Sequence, residues 1–172
     1  VSQASDPRVM CVGDDWQSIY RFAGSDVSYM TAFERHFGYT ASVPLDRTFR
    51  FGDRLLAASA RFIQQNPAQL RKQLHARGDE GGPAIVIVEM GARPVGDRAA
   101  AQRQAVDELR GVLTRISQEH PEDKRASVFL LGRYNFSVPI RDMDALCRGI
   151  PRVDAEFLTV HRSKGLQADY VV

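Results

Sequence analysis

Apolar residues recur at Ala105, Val106, Leu109, Val112, Leu113 and Ile116, the spacing of one helix face. The pattern predicts a long helix over 98–119, capped by Asp97 and ended by His120-Pro121. A second helical pattern, Leu55, Leu56, Ser59, Phe62 and Ile63, stops at Asn66-Pro67. Tyr29, Met30, Phe33 and Phe37 predict a helix capped by Ser25 or Asp26 and closed by Gly38. Ile140, Met143, Leu146 and Cys147 predict a shorter one, capped by Ser137, with Pro139 in its first turn and Gly149 at its end. Between these lie short continuous apolar runs, which read as buried strands: 8–12, 84–90 (AIVIVEM) and 127–132. Further strands are expected at 42–49, interrupted by Pro44, at 156–161 and at 169–172. Residues 1–7 read as a loose lead-in, and 68–83 as an exposed loop. Strand and helix alternate, which argues for an α/β fold with a mostly parallel sheet and helices on both faces.

Composition narrows the class. With 172 residues, 44% of them hydrophobic, the chain can bury a sizeable core. No apolar run reaches the roughly 18–20 residues that span a bilayer, so no membrane partner is expected. The first residue is Val1 and no leader pattern follows, so the sequence reads as a piece of a longer protein. Cys11 and Cys147 sit in apolar contexts and read as buried, reduced thiols of a cytoplasmic protein. A net charge of +2 does not by itself argue for nucleic acid. The cations are nearly all Arg, the only lysines being Lys72, Lys124 and Lys164. The His, Cys and acidic positions show no metal-ligand spacing, so no protein metal site is expected.

The densest chemistry lies at 12–26, VGDDWQSIYRFAGSD. An apolar run is followed by Asp14, Asp15, the amide Gln17, and Tyr20-Arg21-Phe22. Taken alone, these residues admit two readings. One is a ligand loop, with Gln17 and the acids facing a nucleotide phosphate and Tyr20, Arg21 and Phe22 stacking on bases. The other is a turn beside core aromatics.

This stretch resembles motif III of the UvrD/Rep-type superfamily-1 DNA helicases, whose pattern runs VGDxxQSIYxFxGA. The Asp-Trp pair before the amide resembles the helicase IV branch of that family. LDRTFRFGDRL (45–55) resembles motif IV and LTVHRSKGLQADYVV (158–172) resembles motif V, in the family's order. The resemblance implies a three-layer RecA-like fold of P-loop NTPase type. Residues 1–25 would be a stub of the first RecA-like domain, and 26–172 the second, truncated at its C-terminal end. It implies a part of an ATP-dependent helicase that moves 3′ to 5′ along single-stranded DNA and unwinds duplex in DNA repair.

Residue by residue, the resemblance makes Arg50 an arginine finger and Gln17 a γ-phosphate sensor, the two catalytic positions. Phe49 would stack on adenine where the family has Tyr. Gly165 and Gln167 would complete the ATP contacts, although many members carry Glu at the position of Gln167. Tyr20, Arg21, Phe22, Thr159 and His161 would meet DNA. ATP and Mg²⁺ are the implied cofactors, the latter bound mainly by the missing first domain. The chain contains no GxxxxGK[ST] loop, and no DExx-type Walker B acid pair stands ahead of the motif III stretch. It is therefore expected to be inactive alone, with the first RecA-like domain and DNA as its partners. A non-catalytic RecA-like module, binding DNA or protein within a nuclease or repair complex, is the alternative.

Overall fold

A computed structural model describes residues 8–78, 82–134 and 143–172. The chain divides into two compact units, Val1–Val86 and Ile87–Val172.

The second unit carries the sheet. Helix α4 (Arg98–Glu119) has the bounds its spacing predicts. The Asp97 carboxylate accepts from Ala100 N at 2.9 Å and so satisfies one of the open donors of the first turn. At the other end His120 is extended (ψ 144), the backbone that a following Pro121 favours. Strands β1 (Ala126–Gly132), β2 (Val153–Thr159) and β3 (Tyr170–Val171) form a parallel sheet in the order β2-β1-β3. Helix α5 (Met143–Cys147) lies between β1 and β2 in sequence. Its proposed cap Ser137, with Pro139 and Ile140, falls outside the described residues, as do residues 1–7.

Alternation along β1 decides where the core sits. Ala126, Val128 and Leu130 are buried and join Leu113 and Ile116 of α4, Leu146 of α5, Ile150 and Val153 in one cluster. The intervening Ser127, Phe129 and Leu131 are half-buried. Arg110 ties α5 to α4 by donating to the carbonyls of Leu146 (2.6 Å) and Arg148 (2.9 Å). Gly149 then turns the chain with φ +81, a conformation that only glycine adopts without strain. The expected α/β class with a parallel sheet is therefore met, and no helix among the described residues is long and apolar enough to cross a membrane.

The first unit is made of short helices and irregular backbone. Residues 26–37 form two helices where the spacing predicts one, α1 (Ser28–Thr31) and α2 (Phe33–Phe37). The break is at Ala32, whose φ −129 and ψ 40 leave the helical region. Asp26 Oδ1 accepts from Ser28 N at 2.8 Å, the expected capping contact, and Gly38 closes α2 at φ +83. Helix α3 (Asp53–Ile63) forms where its spacing predicts and buries Leu56, with Leu55, Ser59 and Ile63 half-buried, but Phe62 of the predicted face is 76% exposed.

Three expected strands do not form. Residues 8–12 have no ladder, and Met10 and Val12 are exposed. Residues 42–49 make a single parallel bridge, Arg47 with His75, because Pro44 lacks a donor and only 46–48 meet a partner. The run 84–90 has no strand partner among the described residues, and Ile87 is 88% exposed. Apolar residues favour an extended chain, but a strand exists only where a neighbour supplies its hydrogen bonds. The thiol reading also needs correction. The cysteines are free, but Cys11 is exposed and Cys147 only half-buried, with burial pushing its thiol up.

Candidate nucleotide and nucleic-acid site

Motif III residues occupy two consecutive 3-10 turns, Asp15–Gln17 and Arg21–Ala23. Asp14 starts the first by accepting from Trp16 N at 3.1 Å. Its other oxygen accepts from the Gln17 amide nitrogen at 2.7 Å. A loop more than fifty residues away grips these groups. Lys72 Nζ lies 2.6 Å from Asp14 Oδ1 and also pairs with Asp15 Oδ1. Leu70 N donates to Asp15 Oδ2 at 2.7 Å, and Trp16 Nε1 donates to Leu70 O at 2.9 Å. The Gln69 amide, oriented to donate, reaches Asp15 Oδ2 at 2.7 Å. The Lys72 ammonium stands 5.3 Å from the Trp16 ring centroid.

Asp15 is 1% exposed, and a buried carboxylate persists only with such partners. Burial pushes the Asp14 carboxyl up, but Lys72 and Gln17 outweigh it and hold the group below the ordinary carboxylate range. Burial likewise lowers the Lys72 ammonium, while Asp14 and Asp15 outweigh it and raise it above the ordinary lysine value.

The second turn presents the aromatics. Tyr20 and Phe22 have ring centroids 6.1 Å apart at 48°, and Phe22 is 74% exposed. Arg21 is exposed beside them. Gly24 ends the turn at φ +90. One exposed ring, with half-buried Tyr20 beside it and a guanidinium on the same short turn, suits a single strand, whose bases stack and whose phosphates need a cation.

Phe49 and Arg50 share one cleft of ≈ 300 Å³, lined also by Gly52, Arg54, Leu55 and Arg77. Thr48 accepts from Arg50 N through its hydroxyl at 3.4 Å, and Thr48 N donates to His75 O at 2.8 Å. These bonds hold the Phe49-Arg50 segment against the 75–78 loop. Arg54 donates to Gly82 O at 2.8 Å across the same cleft. Three guanidiniums and an exposed phenyl ring fit a phosphate chain and a base. The same donor set repels a cation. Among the described residues no three His, Cys, Asp or Glu side chains gather as a metal site. Gln17 does not line this cleft; its amide is turned to Asp14.

Motif V residues lie in the second unit, at the carboxyl end of β2. Gly132 pairs with Thr159, so β1 and β2 end together there, the edge where parallel α/β sheets hold ligands. Thr159 is half-buried; its carbonyl accepts from Ser163 N at 3.0 Å and its hydroxyl from Arg162 N at 3.3 Å. His161 is half-buried in this turn, and Gly165 adopts φ +84. Gln167 is exposed on the way to β3. Asp169 then anchors the return by accepting from Ser127 N at 2.9 Å and Ser127 Oγ at 2.7 Å. Those two donors hold its carboxyl below the ordinary range.

Within the first unit the structure thus brings Phe49 and Arg50 together and leaves Gln17 outside their cleft. Sequence reasoning missed Arg54, Arg77 and Lys72. Arg54 follows Arg50 by four positions, and Lys72 is one of three lysines in an arginine-rich chain, so both left a signal. Arg77 left none.

Comparison with known proteins shows a likeness to DNA helicases of the UvrD/Rep type. The UvrD/REP helicase N-terminal domain family matches residues 2–38. The chain is 36% identical over 170 residues to DNA helicase IV of Escherichia coli, an alignment covering 99% of this chain and 22% of that protein. It is 34% identical over 76 residues to DNA helicase II of the same organism, covering 44% of this chain and 11% of the relative. ATP-dependent DNA helicase PcrA of Bacillus subtilis is 34% identical over 70 residues, covering 41% of this chain and 10% of the relative. The sequence is therefore related to the UvrD/Rep-type superfamily-1 DNA helicases, most extensively to DNA helicase IV among these three. It spans about a fifth of the length of that relative.

Proposed function

We propose that this chain is part of an ATP-dependent DNA helicase that travels 3′ to 5′ on single-stranded DNA and unwinds duplex in repair in the cytoplasm. Residues 1–25 belong to its first RecA-like domain, and 26–172 to the second, of three-layer RecA-like fold. The observation that carries this reading is the cleft that holds Phe49 and Arg50 with Arg54 and Arg77. Phosphoryl transfer asks a protein for positioning and positive charge. Arg50 supplies that charge as an arginine finger, and Phe49 stacks on the adenine. Gln17 faces the γ-phosphate region from motif III. Gly165 lets backbone approach a phosphate, and Gln167 accepts from the ribose. Tyr20, Arg21, Phe22, Thr159 and His161 hold the strand, so that closing and opening the two domains moves it. Mg²⁺ would neutralise charge on the triphosphate and would be held mainly by residues of the first domain. The chain alone is inactive.

The test is ATP hydrolysis by the full-length protein, with and without single-stranded DNA, for wild type and Arg50→Ala. Stimulation by DNA and a loss of about 10³ or more in the variant are expected. Hydrolysis that is absent, or indifferent to Arg50, would return the domain to the class of non-catalytic binding modules.

A further inference from the structure

We propose that Lys72 is a positioning residue that, through Asp14, fixes the Gln17 amide with its carbonyl oxygen facing outward as an acceptor. The inference rests on the helicase reading above.

A carboxylate accepts hydrogen bonds and donates none, so the Gln17 group 2.7 Å from Asp14 Oδ2 is the amide nitrogen. That leaves Oε1 as the end that Gln17, exposed on the turn, offers a ligand. An outward acceptor can take a hydrogen bond from an attacking water; it cannot donate to a phosphate oxygen. The amide keeps this sense only while Asp14 stays ionised and in place. Lys72 secures both conditions, lying 2.6 Å from Asp14 Oδ1 and pairing with Asp15 on its other side. The lysine is itself fixed, because Leu70 two residues earlier is bonded in both directions, to Asp15 and to Trp16. Lys72 therefore touches no substrate and acts through a chain of two bonds, ammonium to carboxylate to amide. The Asp14-Asp15-Trp16-Gln17 order places the carboxylate at the cap and the amide at the last position of one 3-10 turn.

The experiment is steady-state ATP hydrolysis on single-stranded DNA by the full-length protein. Lys72→Met should lower kcat by about tenfold to a hundredfold, the range for misplacing a reacting group by a fraction of an ångström to one ångström. KM for ATP should change by less than about threefold, since uniform binding is untouched. Lys72→Arg, which can pair with both acids, should recover most of the rate. In a Gln17→Ala background Lys72→Met should remove nothing more, because the two act in series. An equal loss in both backgrounds, or wild-type kcat in Lys72→Met, overturns the inference. Where Lys72→Met melts early, Asp14→Ala carries the test, removing the amide's acceptor while leaving the Lys72–Asp15 pair. An inactive wild type overturns the helicase reading and this inference with it; an active wild type indifferent to Lys72 and Asp14 overturns this inference alone.

Discussion

Leu113 is 0% exposed at the centre of the cluster that α4, β1 and α5 share. Leu113→Ala removes three carbons from that cluster, about 2.4 kcal/mol at the transfer value of about 0.8 kcal/mol per methylene. The void adds to this, because Ile116, Val128, Leu130 and Leu146 are held by a helix backbone and a strand ladder that cannot close on it. The expected cost is about 3–5 kcal/mol. For a unit of the size of Ile87–Val172 that lowers Tm by about 12 °C or more. Urea unfolding followed by far-UV circular dichroism reads the change as a lower midpoint at an unchanged slope. Val95→Ala is the control, an apolar truncation in the same unit at a fully exposed position, expected within about 0.5 kcal/mol. A Leu113→Ala cost below about 1 kcal/mol, or one equal to the control, would refute the packing of α4 on the sheet described here.

Two further outcomes follow from the first unit. Phe22→Ala in the full-length protein should weaken single-strand binding by about 1–3 kcal/mol, read by fluorescence anisotropy at fixed salt; unchanged affinity would remove Phe22 from the DNA surface. The clasp on Trp16, the chain's only tryptophan, should be pH-dependent with a definite sign. Asp14 has a lowered folded value, so its contribution is present above the unfolded carboxylate value and is lost as pH falls through the folded one. Lys72 has a raised value, so its contribution is present below the unfolded lysine value and lost as pH rises through the folded one. Trp16 emission should therefore hold steady from about pH 4 to pH 10 and shift outside that window; a transition near neutrality would contradict the clasp.

Local signals were enough for α4. Its helical spacing, Asp97 before it and Pro121 after it are all short-range, and the helix has the expected bounds. The strands expected at 127–132 and 156–161 were legible as local segments, and the structure pairs them in parallel. The run 84–90 misled because apolarity reports a wish for burial, and which strand supplies the partner is a property of the whole fold. The site divides along the same line. Phe49 and Arg50 are adjacent in sequence, and the structure puts them in one cleft. Lys72 meets its acids across 58 residues, and Arg77 enters the cleft from a loop with no pattern of its own. Contacts between distant loops leave no periodicity to read.

The bare run 84–90 has a consequence for handling the chain. AIVIVEM is seven residues of high β-propensity with one charge and no proline, the composition that zips into cross-β stacks when copies meet. With Ile87 88% exposed and no ladder on the run, each copy offers the next an open template. Pro83 at its start and Glu89 within it are the only gatekeepers. Solutions of this chain should gain thioflavin-positive material as concentration rises, and Ile87→Lys should abolish it. The same seven residues that would complete a sheet with the right neighbour make the chain, without one, a seed for its own fibrils.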